Sequence, residues 1–267
     1  VYMSYIDRLK TSQSLVAAFN WLRKLLVDPH LLTQHWRSLY WYFYNRKKWA
    51  RLNQDPNFRF TWRHSLLSSS DRYKKAGSAR GHYFWQDLWA AGEVSKNGVS
   101  DHVDIGSRID GFVAHIMSTC RVHYVDLRPI ELSHPNFIFE QGSILDLPFV
   151  SGSVRSLSCL HVIEHIGLGR YGDAVDPEGY MKAAAEISRV LAPSGKLLLG
   201  TPVGIERLCF DAHRVFDPST MLKAFASLRL VTFHLIPDRG DRVINNASFD
   251  EARTSTYGCG LFEFVKI

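Results

Sequence analysis

The stretch His102-Val103-Asp104-Ile105-Gly106-Ser107-Arg108-Ile109-Asp110-Gly111 constrains the fold more than any other part of the chain. A short apolar run stops at a glycine, a small polar residue follows, and Phe112, Val113, Ile116 and Met117 then recur at helical spacing. This pattern predicts a strand, a tight turn and a helix, the opening of a nucleotide-type cofactor site. Twenty residues beyond Gly106, an apolar strand over 121–125 ends at Asp126, whose carboxylate can accept hydrogen bonds from both hydroxyls of a ribose.

The same alternation continues along the chain. Further strands are expected over 137–141, 155–160, 196–200, 228–235 and 260–267, and helices from residue 82 and over 177–191 and 218–226. In the second of these helices Met181, Ala184, Ile187, Val190 and Leu191 mark the apolar face, and Pro193-Ser194-Gly195 closes it. Strands alternating with helices predict an open, largely parallel sheet that binds ligands at the carboxyl ends of its strands. The aromatics of 82–89, Tyr83, Phe84, Trp85 and Trp89, would either pack the first of these helices or cover a cofactor.

Charge divides the chain in two. Residues 1–75 hold 14 Lys and Arg against 4 Asp and Glu, and the remainder 18 against 22, which makes +10 and −4 of the net +6. All seven tryptophans lie between Trp21 and Trp89. The expected division is a basic, aromatic-rich helical extension over 1–80 and a cofactor-binding domain over 81–267. Ile6, Leu9, Leu15, Phe19, Leu22 and Leu26 recur at helical spacing in the extension, and 68–81 reads as a polar loop. Between residues 31 and 52, Trp36, Tyr40, Trp41, Tyr42, Phe43, Tyr44 and Trp49 are interleaved with Arg37, Arg46, Lys47 and Lys48. Such a segment suits an anionic membrane surface, or packs its rings on the second domain and leaves its charges in water.

The most apolar early run, 15–27, is broken by Arg23 and Lys24, so neither a membrane-spanning helix nor a signal peptide is expected. Cys120, Cys159, Cys209 and Cys259 show no paired spacing and are expected as free thiols of a reducing compartment. Positive charge lies away from the motifs and no nucleic-acid module is recognisable, which disfavours a nucleic-acid partner.

In this order, Val103-Asp104-Ile105-Gly106, Val125-Asp126, Ile144-Leu145-Asp146-Leu147-Pro148, Leu160-His161-Val162-Ile163-Glu164-His165 and Val190-Leu191-Ala192-Pro193-Ser194-Gly195-Lys196 resemble the class I S-adenosylmethionine-dependent methyltransferases. More narrowly, 106–111, 167–173, 210–216 and 258–264 resemble a methyltransferase-like family catalogued as a domain of unknown function, a likeness covering roughly 83–267. The resemblance implies a Rossmann-like α/β fold, with a seven-stranded, mostly parallel sheet flanked by helices and an N-terminal helical extension. It also implies S-adenosylmethionine as cofactor. Gly106, Ser107, Arg108 and Gly111 would form the turn around its methionine end, with Arg108 able to pair with the carboxylate. Asp126 and Leu127 would meet the ribose, Asp146 and Leu147 the adenine, and His161 would stand near the reaction centre. Ser107-Arg108 replaces part of the usual G-x-G-x-G opening.

Methyl transfer from a sulfonium is an in-line displacement that needs positioning and a deprotonated nucleophile. His165 and His213, with Glu164, are the candidate bases, because imidazole titrates near neutrality. No metal is favoured; if one were bound, His161, Glu164, His165 and His213 would hold it, and the imidazoles would suit a softer divalent ion than magnesium. The resemblance suggests O-methylation of a sugar hydroxyl in a bacterial surface polysaccharide or lipid-linked glycan. The expected location is the cytoplasm, with peripheral attachment to the inner face of the membrane. Two other readings stay open: a non-catalytic scaffold that has lost cofactor affinity, and a nicotinamide-dependent sugar oxidoreductase that uses Asp126 on its cofactor.

Overall fold

The computed structural model describes residues 29–67 and 71–267, and the chain divides between Ser78 and Ala79 into two compact units. The helical periodicity over 1–28, the apolar run 15–27 and residues 68–70 of the polar loop lie outside the described residues.

In the first unit, α1 (Pro29–Leu52) carries the aromatic and basic stretch, and three short 3-10 turns follow at Pro56–Phe58, Trp62–His64 and Asp71–Tyr73. Trp36, Tyr40, Phe43, Tyr44 and Trp49 are exposed. Arginines lie against rings of the same unit: Arg46 is 4.5 Å from the Phe60 ring and 4.3 Å from that of Trp62, and Arg72 is 4.1 Å from Trp41. No helix among the described residues is long and apolar enough to cross a membrane.

The second unit opens with α2 (His82–Asn97), whose Gln86, Asp87, Ala90 and Val94 are buried. Its strands are β1 (Asp101–Ile105), β2 (Arg121–Asp126), β3 (Phe137–Gln141), β4 (Val154–Leu160), β5 (Leu191–Val203), β6 (Arg207–Cys209), β7 (His213–Val215), β8 (Leu228–Ile236) and β9 (Gly258–Lys266). Seven of them form one sheet in the order β3-β2-β1-β4-β5-β9-β8, with β6 and β7 a separate antiparallel pair. The pairings from β3 to β5 are parallel, and β9 runs antiparallel to both β5 and β8.

The buried strands read as near-continuous apolar runs because both faces are covered. Leu197, Leu199, Phe262 and Phe264 are fully buried in one core that also takes Ala183, Ala184, Ile187 and Val190 from the helix Gly179–Val190. Each fully buried side chain of this size contributes roughly 1.5–3 kcal/mol.

The expected helix after β1 proves short and irregular: a π-helical turn, Ile109–Val113, runs into α3 (Ala114–Ile116), and Gly111 inside it has φ −115° and ψ −108°. The helix α4 (Gly179–Val190) lies within the expected span, yet Met181 faces outward and Ala183 takes its place on the buried side. The strand β5 starts at Leu191, before the expected stop at 193–195, with a register shift opposite residues 154 and 156 of β4. Two short helices, α5 (Pro218–Ala224) and α6 (Phe249–Arg253), complete the unit.

Candidate active site

The site begins with a buried polar row on β1. Asp104 is fully buried; it accepts from the Ser107 backbone N–H at 3.0 Å and from the Ser107 hydroxyl at 2.6 Å, and Ser158 also donates to it. Since Ser158 spends its proton on Asp104, it accepts from His102 Nε2 at 2.8 Å, and His102 Nδ1 accepts from Ser156 at 2.7 Å. Burial pushes the Asp104 pKa up to about 6, against the pull of these hydrogen bonds, and pushes that of His102 down to about 3. Ser107 therefore serves the interior of the turn: its backbone and hydroxyl satisfy a carboxylate that would otherwise be stranded.

Above this row the chain turns at Gly106, where φ is +64°. A Cβ here would stand 3.2 Å from Val162 Cγ2 and 3.9 Å from Asp126 Oδ2, so glycine keeps the floor of the adjoining cleft open. That cleft opens at the carboxyl ends of β1, β2 and β4. Gly106, Asp126, Leu127, Ile144, His161 and His165 line it, and Ser107 and Arg108 line its outward continuation beside Tyr83.

Asp126 closes one side. Its Oδ1 accepts from the Arg128 backbone N–H at 2.8 Å and from Arg128 Nε at 3.0 Å; its Oδ2 accepts from Arg128 Nη2 at 2.8 Å and shares the Tyr124 hydroxyl proton, at 3.1 Å, with the Ser107 carbonyl at 3.0 Å. Burial raises its pKa, but the Arg128 hydrogen bonds outweigh it and leave the carboxyl below its usual value. The Arg128 guanidinium also lies 4.8 Å from the Tyr171 ring, which faces His165 at 5.5 Å. Tyr171 sits in a loop tied down by Asp173, whose Oδ2 accepts from the Gly167 N–H at 2.7 Å.

The far end holds His161, Glu164 and His165. His161 has a left-handed φ of +55°, and its Nδ1 is 2.8 Å from Glu164 Oε1. Burial opposes a charge on this ring, but Cys259 and Glu164 outweigh it and raise its pKa well above the ordinary value. His165 donates through Nδ1 to the Ala212 carbonyl at 2.6 Å, and its Nε2 lies 3.8 Å from Glu164 Oε1. Because a carbonyl only accepts, the hydrogen bond fixes the proton on Nδ1 and leaves Nε2 as the basic atom of the neutral ring.

The remaining expected residues lie elsewhere. Gly111 is buried beneath the turn, where an added Cβ would come 2.1 Å from Asp87 Oδ2. Leu147 points into the core, Asp146 is exposed, and Ile144 stands at the cleft instead, because the chain folds back with the Asp146 N–H donating to the Ser143 carbonyl. His213, on β7, packs 5.0 Å from the Tyr257 ring and does not line the cleft; burial lowers its pKa. Arg108 is half-exposed, paired with Asp110 at 2.9 Å and 5.0 Å from the Tyr83 ring. Tyr124, Arg128, Ile144 and Tyr171 were not anticipated; an arginine two residues beyond Asp126, able to close an Asx-type turn on it, was the available signal for Arg128.

Residues 151–238 match a family model described as Caenorhabditis protein of unknown function, DUF268. No curated protein matches the chain. Among solved structures it is similar to the [4+2]-cyclase SpnF, at 14% identity and TM-score 0.51 over 78% of this chain and 84% of that one. It is also similar to the N-methyltransferase NodS of Bradyrhizobium japonicum WM9 in complex with S-adenosyl-L-homocysteine, at 18% identity and TM-score 0.45 over 68% and 84% of the two chains. It is similar as well to the 1,6-didemethyltoxoflavin-N1-methyltransferase of Burkholderia thailandensis, at 14% identity and TM-score 0.47 over 68% and 78%. The fold is the Rossmann-like α/β arrangement that the sequence resemblance implied, a seven-stranded, mostly parallel sheet flanked by helices. A fold does not by itself fix a reaction, so function has to be argued from the cleft.

Proposed function

We propose that the second unit binds S-adenosylmethionine and transfers its methyl group to an oxygen nucleophile, with a sugar hydroxyl as the acceptor. The observation that carries this reading is the pairing of the open floor at Gly106 with the carboxylate of Asp126 across one cleft. Glycine lets the backbone approach a nucleoside closely, and a carboxylate across from it suits the two hydroxyls of a ribose. S-adenosylmethionine supplies an electrophilic methyl on a sulfonium. The protein's part is to orient it through Gly106 and Asp126, to keep water out with Val162 and Ile144, and to take the acceptor's proton on His165 Nε2, with Glu164 beside it to stabilise the imidazolium.

A polyhydroxylated acceptor suits a mouth flanked by Tyr83, Tyr171, Arg108 and Arg128, which offers ring faces and donors together. Lipid-linked acceptors, with α1 at an anionic membrane surface, extend this proposal; the exposed aromatics and basic residues of that helix support it. The test is calorimetric titration with S-adenosylhomocysteine of the wild type and of Asp126→Ala. Saturable binding that weakens at least tenfold in the variant is expected. A folded wild-type protein that binds none overturns the reading.

A further inference from the structure

Beside the cleft lies a cluster that the methyl-transfer reading leaves unused. His82, the first residue of α2, His161, just past β4, and Cys259 in β9 each offer one donor atom, and the three atoms lie within 4.8 Å of one another. Among the described residues no other set of three His, Cys, Asp or Glu side chains converges in this way.

One member has a buried nitrogen without a partner. The His161 side chain is only 4% exposed; Glu164 engages its Nδ1, and its Nε2 is buried with no hydrogen-bond partner. A buried nitrogen left in that state is destabilising, and a ligand on it would remove the deficit. Cys259 is fully buried, and its sulfur lies 3.8 Å from Gln86 Oε1, 3.9 Å from the Gly260 carbonyl and within 4.8 Å of the His161 ring nitrogen. The His82 ring lies nearly parallel to that of His161, at 8° and 5.7 Å between centroids, and Tyr257 stacks on it at 5.2 Å. A carboxylate on the second nitrogen of an imidazole, as Glu164 is on His161, is the arrangement that orients a ligating histidine.

We propose that His82, His161 and Cys259 form a binding site for a zinc-class divalent cation, with a fourth position open to an oxygen donor. One thiolate and two imidazoles suit zinc or cobalt and do not suit magnesium, which demands oxygen ligands. Three protein ligands leave the coordination sphere unfilled, as in catalytic zinc sites. With metal–nitrogen and metal–sulfur bonds of about 2.1 and 2.3 Å, tetrahedral donors stand about 3.5 Å apart, so the three side chains close by about 1 Å on binding. Binding requires a thiolate and unprotonated ring nitrogens, so the Cys259 proton and any proton on the ligating nitrogens of His82 and His161 pass to solvent. Glu164, His165 and His213, which with His161 are the set expected from sequence, do not join this converging group: Glu164 meets His161 and Thr201, His165 bonds the Ala212 carbonyl through Nδ1, and His213 packs on Tyr257. His161 belongs to both the cluster and the cleft wall, which puts the ion beside the cleft. Its use in lowering the pKa of an acceptor hydroxyl rests on the methyl-transfer reading; the site itself does not.

The chelator-treated protein is titrated with Co²⁺, followed by absorption, and then with Zn²⁺. The expected result is saturation at a single ion per chain, a thiolate-to-cobalt charge-transfer band, and displacement by zinc. Cys259→Ser should abolish the band, and His82→Gln, on a half-buried residue at a helix start, should weaken Co²⁺ binding at least tenfold; His213→Gln should change neither. Circular dichroism melts identify any variant that has not folded, in which case His82→Gln alone decides. Absence of saturable binding, a band that survives Cys259→Ser, or binding lost in His213→Gln overturns the proposal. S-adenosylhomocysteine titrated into the chelated protein reports on the cofactor reading separately.

Discussion

The carboxyl-terminal ends of β1 and β2 each place an aspartate near the cleft floor, and the two carboxylates live opposite lives. Asp104 is sealed inside, saturated by Ser107 and Ser158, with its pKa raised by burial. Asp126 is the last residue of β2 and stands in the cleft wall, held by Tyr124 and by an arginine whose side chain is 57% exposed. A carboxylate whose partners are fixed neighbours is part of the scaffold, whereas one whose main partner can swing into water is available to a ligand. All four acceptor positions of Asp126 are engaged, so a ribose gains its two hydrogen bonds by displacing the Arg128 guanidinium, while the Tyr124 and backbone bonds can stay.

The comparison breaks first on paired substitutions. Asp104→Ala leaves two buried hydroxyls and an N–H short of an acceptor and should lower the unfolding free energy by about 3 kcal/mol or more in urea titrations. Asp126→Ala should leave stability within about 1 kcal/mol of wild type and weaken S-adenosylhomocysteine binding about a hundredfold by calorimetry. Equal stability losses at both positions would mean that both aspartates are structural.

The pH dependence sharpens the contrast. A carboxyl raised in the folded state takes up a proton on folding, so stability falls as pH climbs from the unfolded value of 3.8 through about 6 at Asp104. The full effect is about 3 kcal/mol, and urea titrations across this window should show the decline in wild type and not in Asp104→Asn. Asp126 has the opposite sign: its depressed pKa contributes stability that is present above the ordinary carboxylate range and lost as pH falls below it.

Two smaller effects probe the flanks of these turns. Gly111→Ala forces Asp87 aside and should cost about 1–3 kcal/mol in thermal or urea unfolding, with cofactor affinity intact in the folded fraction. Arg128→Ala removes a competitor for Asp126. Because an exposed pair of this kind is worth up to about 1 kcal/mol, S-adenosylhomocysteine should bind up to about fivefold more tightly, which calorimetry would resolve. Weaker binding would instead make Arg128 a ligand contact.

The strands were legible because each has a run of apolar residues bounded by turn signals, and Asp126 because its spacing from Gly106 follows from one strand-turn-helix unit. The three-residue strands β6 and β7 are too short to leave a period, and their hairpin depends on Asp211 in a left-handed conformation. The irregular turn at Ile109–Val113 was hidden because Phe112, Val113 and Ile116 keep helical spacing while Gly111 leaves the helix. In the site, the Ser143–Asp146 reversal decides that Ile144 and not Asp146 or Leu147 reaches the cleft, a matter of backbone path that residue type does not encode. His82 and Cys259 meet His161 only through the packing of α2 and β9 around the end of β4, so no local pattern could have joined them.

The place of β9 has a consequence for how the protein is made. It is synthesised after β8 yet lies inside it, between β5 and β8, and supplies both of their antiparallel ladders. On a ribosome, β1 to β5 can pair while the outer edge of β5 waits, and β8 has no sheet to join until Phe262 and Phe264 have emerged. Over that interval the nascent domain presents an open apolar edge, the kind of surface that chaperones hold and that pairs wrongly between neighbouring chains.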